Sequence, residues 1–292
     1  MIVFVVLHYQ NINVTKECIS YLKGIKNIEE TKIIIVDNGS PNNSGEELIR
    51  LYEDESNIDI VKSQENLGFA RGNNLGYLRA KTEYKADIIV VMNSDVFITD
   101  KDFISKLMFC YCNNQEVGIC APDILNLNNI HCNPMIIPPI SVEGIKKIYK
   151  NSFFRYILYS IPLVNRILLS RAAKKDSISK KDKIGWENAR KDIVPDGSCI
   201  IFFSEWIKNE DFAFLPVTFM YAEEHILYEY SKSKGYSVLY DPCMQVHHME
   251  GGTTSSLWKN DIKKAIKNKK MNLKWHMDAC KIYLKYRNAK KI

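Results

Sequence analysis

The 292-residue chain has no run of about 20 apolar side chains, the length a bilayer-spanning helix needs, so no segment is expected to cross a membrane. It has no CxxC pair: its eight cysteines, at 18, 110, 112, 120, 132, 199, 243 and 280, are scattered. That argues against a cysteine-ligated zinc module or a disulfide scaffold and predicts reduced thiols in a cytoplasmic protein. The dinucleotide fingerprint GxGxxG and the phosphate loop GxxxxGK[ST] are both missing, which removes two common nucleotide-binding architectures. Internal repeats and low-complexity tracts are lacking as well. No basic residues precede the short apolar stretch Met1–Leu7, so it reads as a first strand and not as a secretory leader.

What is present is ordinary in bulk and uneven in detail. Hydrophobic residues make up 46% and charged residues 25%, the balance of a globular protein long enough to bury a core. The net charge of +6 is concentrated: residues 146–183 contribute +9 and residues 259–292 contribute +10, leaving −13 on the rest. An acidic body with two basic appendages suits an anionic partner such as a membrane surface or a phosphorylated substrate.

The chain alternates apolar strands with amphipathic segments. Ile2–Leu7 ends at His8-Tyr9-Gln10, Lys32–Val36 ends at Asp37-Asn38-Gly39-Ser40, and Ile88–Met92 ends at Asn93-Ser94-Asp95. Helical patterns lie between, and Ile58-Asp59-Ile60-Val61 supplies a further short strand. This β-α-β rhythm predicts a parallel sheet with right-handed crossovers. Ligands of such sheets bind beyond the carboxyl ends of the strands, where these polar groups collect. The stretch Asn66-Leu67-Gly68-Phe69-Ala70-Arg71-Gly72-Asn73-Asn74-Leu75-Gly76 spaces three glycines by four. On its own it equally suits a helix that needs small residues to pack closely on a sheet.

Taken in order, these motifs resemble family 2 glycosyltransferases of the GT-A fold, with bacterial rhamnosyltransferase-like enzymes of surface polysaccharide assembly as the branch most similar. The second half carries more of the likeness: Val194-Pro195-Asp196-Gly197-Ser198, Thr218–Glu224, and Val246-His247-His248 followed by Gly251-Gly252-Thr253. The resemblance implies a Rossmann-like, mostly parallel central sheet flanked by helices, forming a catalytic domain over 1–255. A helical basic insertion at about 140–183 and a basic helical tail at 256–292 complete the expected organisation.

The same resemblance implies the site. His8, Tyr9, Asp37, Asn38, Ser40, Asn66, Gly68, Phe69, Gly72, Asn73, Asn93, Ser94 and Asp95 are expected to bind a UDP- or dTDP-sugar, with Asp37 accepting the pyrimidine N–H. Gly197 and Ser198 belong to the acceptor side. Asp95 and His248 are expected to hold a divalent cation, Mn²⁺ or Mg²⁺, which steadies the departing diphosphate. Glu224 is the expected general base of an inverting displacement, with Glu223 orienting acceptor or loop. The acidic pair is Glu-Glu where many relatives have Glu-Asp or Asp-Asp, and His225-Ile226-Leu227 lacks the further aspartate many relatives carry. The acceptor is expected to be a glycan or a lipid-diphosphate-linked glycan, and the location cytoplasmic, peripheral to the inner face of the membrane.

Three other readings compete. A sugar-phosphate nucleotidyltransferase would want an N-terminal Gly-rich loop with Arg and Lys, and Val6-Leu7-His8-Tyr9 offers none. A non-catalytic nucleotide- or glycan-binding relative would show loss of Asp95, the acidic pair or His248, and all are present. A nucleic-acid-binding protein is disfavoured by the acidic body and the lack of a readable motif. In the insertion, Phe153–Leu169 is too short and charged to span a bilayer, and Pro162 is expected to break the helix there. Two readings of that segment stay open: an interfacial helix pair, or a cover over the acceptor cleft. In the tail, Leu273, Met277, Cys280 and Leu284 form a stripe expected to pack on the body.

Overall fold

A computed structural model describes residues 1–134, 140–175, 185–249 and 262–289. The Gly251-Gly252-Thr253 motif and the charges at 176–183 lie outside the described residues.

The fully apolar strands go to the middle of one sheet. β1 (Ile2–His8), β2 (Lys32–Asp37), β3 (Ile58–Lys62) and β4 (Ile88–Asn93) pair in parallel in the order β3-β2-β1-β4. β1, β2 and β4 are buried on both faces, which is why their sequences are continuous apolar runs and not alternating ones. α1 (Ile12–Lys23), α2 (Ser44–Tyr52) and α3 (Gly68–Thr82) make the crossovers. Beyond β4 the sheet turns mixed. β8 (Cys199–Phe203) runs antiparallel to β4 and to β6 (Val117–Asn126), and β9 (Ser237–His248) lies parallel to β6. Two-residue strands β5 (Val96–Phe97) and β7 (Arg190–Lys191) both pair antiparallel with β9. The fold is a mixed α/β sheet flanked by helices.

One apolar cluster fills each face of the sheet, one around Phe4, Ile35 and Phe103 and the other around Val5, Tyr77 and Trp206. α3 sits very close to its face: a Cβ on Gly76 would come within 2.4 Å of Val5 and 2.7 Å of Val36. Close packing therefore accounts for the last of the three spaced glycines. α4 (Phe103–Asn113), α7 (Ser204–Asn209) and α8 (Glu223–Lys234) complete the body.

The insertion forms α5 (Val142–Ser160) and α6 (Pro162–Lys175), broken at Ile161. Pro162 opens α6, where its missing N–H costs nothing. The tail forms α9 (Ile262–Ala289), which packs along α5. Leu273, Met277 and Cys280 of the expected stripe are buried and Leu284 is partly so. Cys280 and Tyr283 of α9 join Ile145 of α5 and Ile226 of α8 in a third apolar cluster. The two basic segments, far apart in sequence, thus form one layer against the helix that begins with the acidic pair.

Candidate active site

β1, β2 and β4 end side by side, with His8 opposite Asp37 and Leu7 opposite Asn93. His8 is fully buried, and both its ring nitrogens are engaged, Nδ1 with Thr15 Oγ1 at 2.7 Å and Nε2 with Ser44 Oγ at 2.8 Å. Burial pushes its pKa down to about 4, so the ring is neutral at pH 7. It ties β1 to α1 and α2. Asp37 is also fully buried; Oδ1 accepts from the Ser40 amide at 3.1 Å, whereas Oδ2 is buried with no hydrogen-bond partner. Gly45, in the first turn of α2, packs so closely that a Cβ there would lie 1.9 Å from Oδ2. The positive end of that helix favours the carboxylate. Ser40 Oγ accepts from the Gln10 amide at 2.8 Å, fixing the loop that carries Tyr9.

Asn38 and Asn66 organise the start of α3. Asn38 donates to Asn66 Oδ1 at 3.2 Å and to the Gly68 carbonyl at 3.0 Å, and accepts from the Leu67 amide at 3.0 Å. Asn66 Oδ1 accepts from the Gly68 amide at 2.9 Å. Gly68 has φ +80°, and a Cβ there would meet the Phe219 carbonyl oxygen at 2.2 Å. Neither side chain nor ordinary backbone fits at that position. The Phe69 amide donates to the same carbonyl at 2.8 Å, so the Asn66–Asn73 motif is bolted to the segment leading into the acidic pair. Gly72 lies against Leu7 and Asn38. Asn73 donates to the Phe69 carbonyl at 3.1 Å.

After β4, the Asn93 amide donates to the Ser198 carbonyl at 2.9 Å. Ser94 and Asp95 are buried, at 2% and 4% exposure. The β5–β9 ladder sets Val96 opposite His248, with His248 Nε2 3.4 Å from Asp95 Oδ1. Successive strand residues point to opposite faces, so His247 cannot share that position. A buried carboxylate beside an imidazole fits the protein end of an Mn²⁺ or Mg²⁺ shell. Among the described residues no third His, Cys, Asp or Glu joins them, so diphosphate and water oxygens would supply the remaining ligands.

The acidic pair begins α8. Immediately before it, Tyr221 and Ala222 have φ of +76° and +67°, a left-handed conformation that costs a non-glycine residue about 1–2 kcal/mol. Strain of this kind needs outside support, and α9 supplies it. The Tyr221 ring stacks on His276 at 3.6 Å and Phe219 packs on Trp275 at 4.9 Å between centroids. Glu223 is 4% exposed and accepts from Thr218 Oγ1 at 3.1 Å. Burial raises its pKa to about 7. Glu224 still reaches solvent in part, yet its carboxyl sits deep enough that burial, and then the charge of Glu223, raise its pKa to about 8. A Cβ on Gly197 would lie 3.8 Å from Glu224 Oε2 and 3.8 Å from the Phe69 ring. The hydroxyl of Ser198 is buried without a partner.

Phe69 therefore meets Gly197 and Glu224, which lie more than a hundred residues further along the chain. The strained Tyr221-Ala222 pair and its supports Trp275 and His276 are not legible in the sequence, because neither backbone strain at non-glycine residues nor a stacking partner across the fold leaves a local pattern. Asn74 was also missed as a joint. It donates to the Phe214 carbonyl at 2.7 Å and accepts from the Ala213 and Phe214 amides.

A family model described as glycosyl transferase family 2 matches residues 3–156, more than half of the chain. The chain belongs to that family. No curated protein matches it. Solved structures show the GT-A fold at low identity. TarS from S. aureus is 12% identical with a TM-score of 0.53, over 85% of this chain and 36% of that one. The mannosyltransferase PcManGT from Pyrobaculum calidifontis, in complex with GDP-Man and Mn²⁺, is 11% identical with a TM-score of 0.56, over 97% and 69%. GalNAc-T7 with UDP, GalNAc and Mn²⁺ is 10% identical with a TM-score of 0.55, over 91% and 49%. The chain thus spans from about a third to 70% of the length of the solved structures it matches. The family 2 membership agrees with the motif resemblance; the narrower rhamnosyltransferase likeness stays a resemblance of motifs.

Proposed function

We propose that this family 2 protein transfers a sugar from a UDP- or dTDP-sugar to a hydroxyl of a glycan or lipid-diphosphate-linked glycan, with inversion. The observation that carries this reading is that Glu224 Oε2 and the Phe69 ring both lie 3.8 Å from the Cβ position of Gly197, which sets the more strongly shifted of two raised-pKa carboxylates beside the donor-side motif. Glu224 takes the acceptor proton. Glu223, held by Thr218, fixes the turn from which Glu224 projects. Asp95 and His248 would hold the divalent cation, which supplies Lewis-acid stabilisation of the leaving diphosphate when bound.

On the donor side, Asn38, Asn66 and Gly68 shape the loop, and Tyr9, Ser40, Phe69, Asn73, Asn93 and Ser94 lie at the strand ends and the start of α3. His8 acts from beneath as a post. Asp37, sealed under Gly45, meets a pyrimidine N–H only if the first turn of α2 shifts. The relatives seen with UDP-GlcNAc, UDP and GDP-Man support a nucleotide-sugar donor.

Calorimetry tests the donor site. Asp95→Ala should abolish Mn²⁺-dependent UDP and dTDP binding, whereas Asp100→Ala, whose carboxylate pairs with Lys106 at 2.6 Å, should not. Unchanged Mn²⁺-dependent affinity in Asp95→Ala would remove the assignment.

A further inference from the structure

The face of α5 turned toward α9 carries a cleft that no part of the donor site uses. Asn151 and Arg155 of α5, Lys269, Asn272 and His276 of α9, and Tyr221 border a cavity of about 340 Å³. Ile148, Ser152 and Arg155 repeat at helical spacing, so α5 presents one face to this cleft throughout.

None of the residues lining the cleft is acidic. Among the described residues neither Arg155 nor Lys269 has a carboxylate partner, unlike Arg79, Lys81, Lys106 or Arg287. Two uncompensated cations with two amide side chains between them make a donor-rich lining that suits a polyanion. Arg supplies a planar fork for phosphate oxygens and Lys a point charge. Burial and the neighbouring Arg155 charge keep the His276 pKa low, consistent with positive potential in the cleft. At about 30 Å³ per water, the cavity has room for roughly ten waters, enough for a diphosphate.

The cleft is joined to the reacting end through Tyr221. Its ring lines the cleft and stacks on His276, and its backbone is the strained turn that delivers Glu224 three residues later. An anion held here therefore lies next to the segment that presents the base, and Asp95 is not among the residues that line the cleft. We propose that this cleft between α5 and α9 binds the phosphate or diphosphate group of the acceptor. The assignment rests on the transferase reading for the word acceptor, and on the cleft alone for the anion.

Titration calorimetry of the full chain with inorganic pyrophosphate and with geranyl diphosphate tests it, in EDTA so that metal-dependent binding at Asp95 is silent. R155Q/K269Q should weaken both ligands at least tenfold. N151D sets a carboxylate in the cleft while leaving both cations in place, and should weaken both as well. All three positions are exposed, so the folded state should survive; a thermal melt checks this. Mn²⁺-dependent UDP binding should be unchanged in these variants and lost in Asp95→Ala, so a failed cleft and a failed donor site give different patterns. Tighter binding of geranyl diphosphate than of pyrophosphate identifies a lipid-linked diphosphate, and equal affinities identify a soluble phosphorylated acceptor. No binding of either ligand to the unmodified chain, or affinities unchanged in both variants, overturns the proposal.

Discussion

Two neighbouring glutamates with raised pKa values would carry the proposed base chemistry and its cost in stability. Glu224→Gln keeps shape and removes basicity, so turnover should fall at least about 10²-fold with donor affinity nearly intact. Glu223→Gln should cost less; a dead Glu223→Gln with an active Glu224→Gln would reverse the pair. The pH profile follows from the direction of the shift. With Glu224 pushed up to about 8, the base is mostly protonated at pH 7, and kcat/KM should rise with pH until it levels off above about 8. Stability runs the other way. An unfolded glutamate ionises near 4.5 while the folded one holds its proton, so folding binds protons and stability falls as pH rises from about 4.5 to about 8. Glu224→Gln removes that penalty. Its melting temperature should match the parent's at pH 4 and below, and exceed it at pH 8, by roughly 2 °C or more. Equal melting temperatures at pH 8 would show that the carboxyl is not forced into an apolar setting.

Among the elements, α9 does the least visible and most consequential work, since it braces a turn strained at Tyr221 and Ala222. Ala222→Gly relieves the left-handed penalty, so it should raise the melting temperature or leave it alone while loosening the turn and lowering turnover severalfold. Trp275→Ala should lower turnover too, through lost support for Phe219. Gly68→Ala attacks the same joint from α3, with no room for the new Cβ; a loss of roughly 2 kcal/mol or more is expected, read by denaturant unfolding. The parallel half of the sheet was legible because its strands are unbroken apolar runs ending in polar triplets. The β8 reversal was not, because a buried strand reads the same in either direction. Asp95 and His248 were legible as motifs and are joined by the β5–β9 ladder, two residues too short to be seen in sequence. His8 illustrates the limit: strand-end position marked it, yet Thr15 and Ser44 occupy both its nitrogens, and side-chain partners so far apart cannot be read from the chain.

For the molecule as a whole, the outer face of the α5–α6 layer is apolar where a water-facing surface would not be. Phe153, Phe154, Ile157, Ile161, Leu163 and Ile167 are all exposed, Phe154 at 61% and Leu163 at 81%. On α5 they continue, at helical spacing, the line of Lys146, Lys147 and Lys150, whereas Arg155 falls on the opposite side with the cleft. No helix among the described residues is long and apolar enough to cross a membrane. An exposed aromatic and aliphatic stripe continued by lysines instead suits a helix lying in the plane of a lipid interface. The competing expectation, a cover folded over the acceptor cleft, uses the opposite face of α5, the one that borders the cleft with α9, so lipid binding is the measurement that separates the two. Each Lys or Arg near an anionic leaflet contributes about 1 kcal/mol and is weakened by salt, while buried apolar area contributes a part that salt does not touch. Co-sedimentation should therefore show binding to anionic vesicles that drops, without vanishing, from low to high salt, and weaker binding to neutral ones. Phe154→Asp/Ile157→Asp should remove the salt-resistant part and leave Mn²⁺-dependent UDP binding intact. Equal, negligible sedimentation with both vesicle types would detach the protein from the membrane while leaving Asp95 and Glu224 to be judged by their own tests.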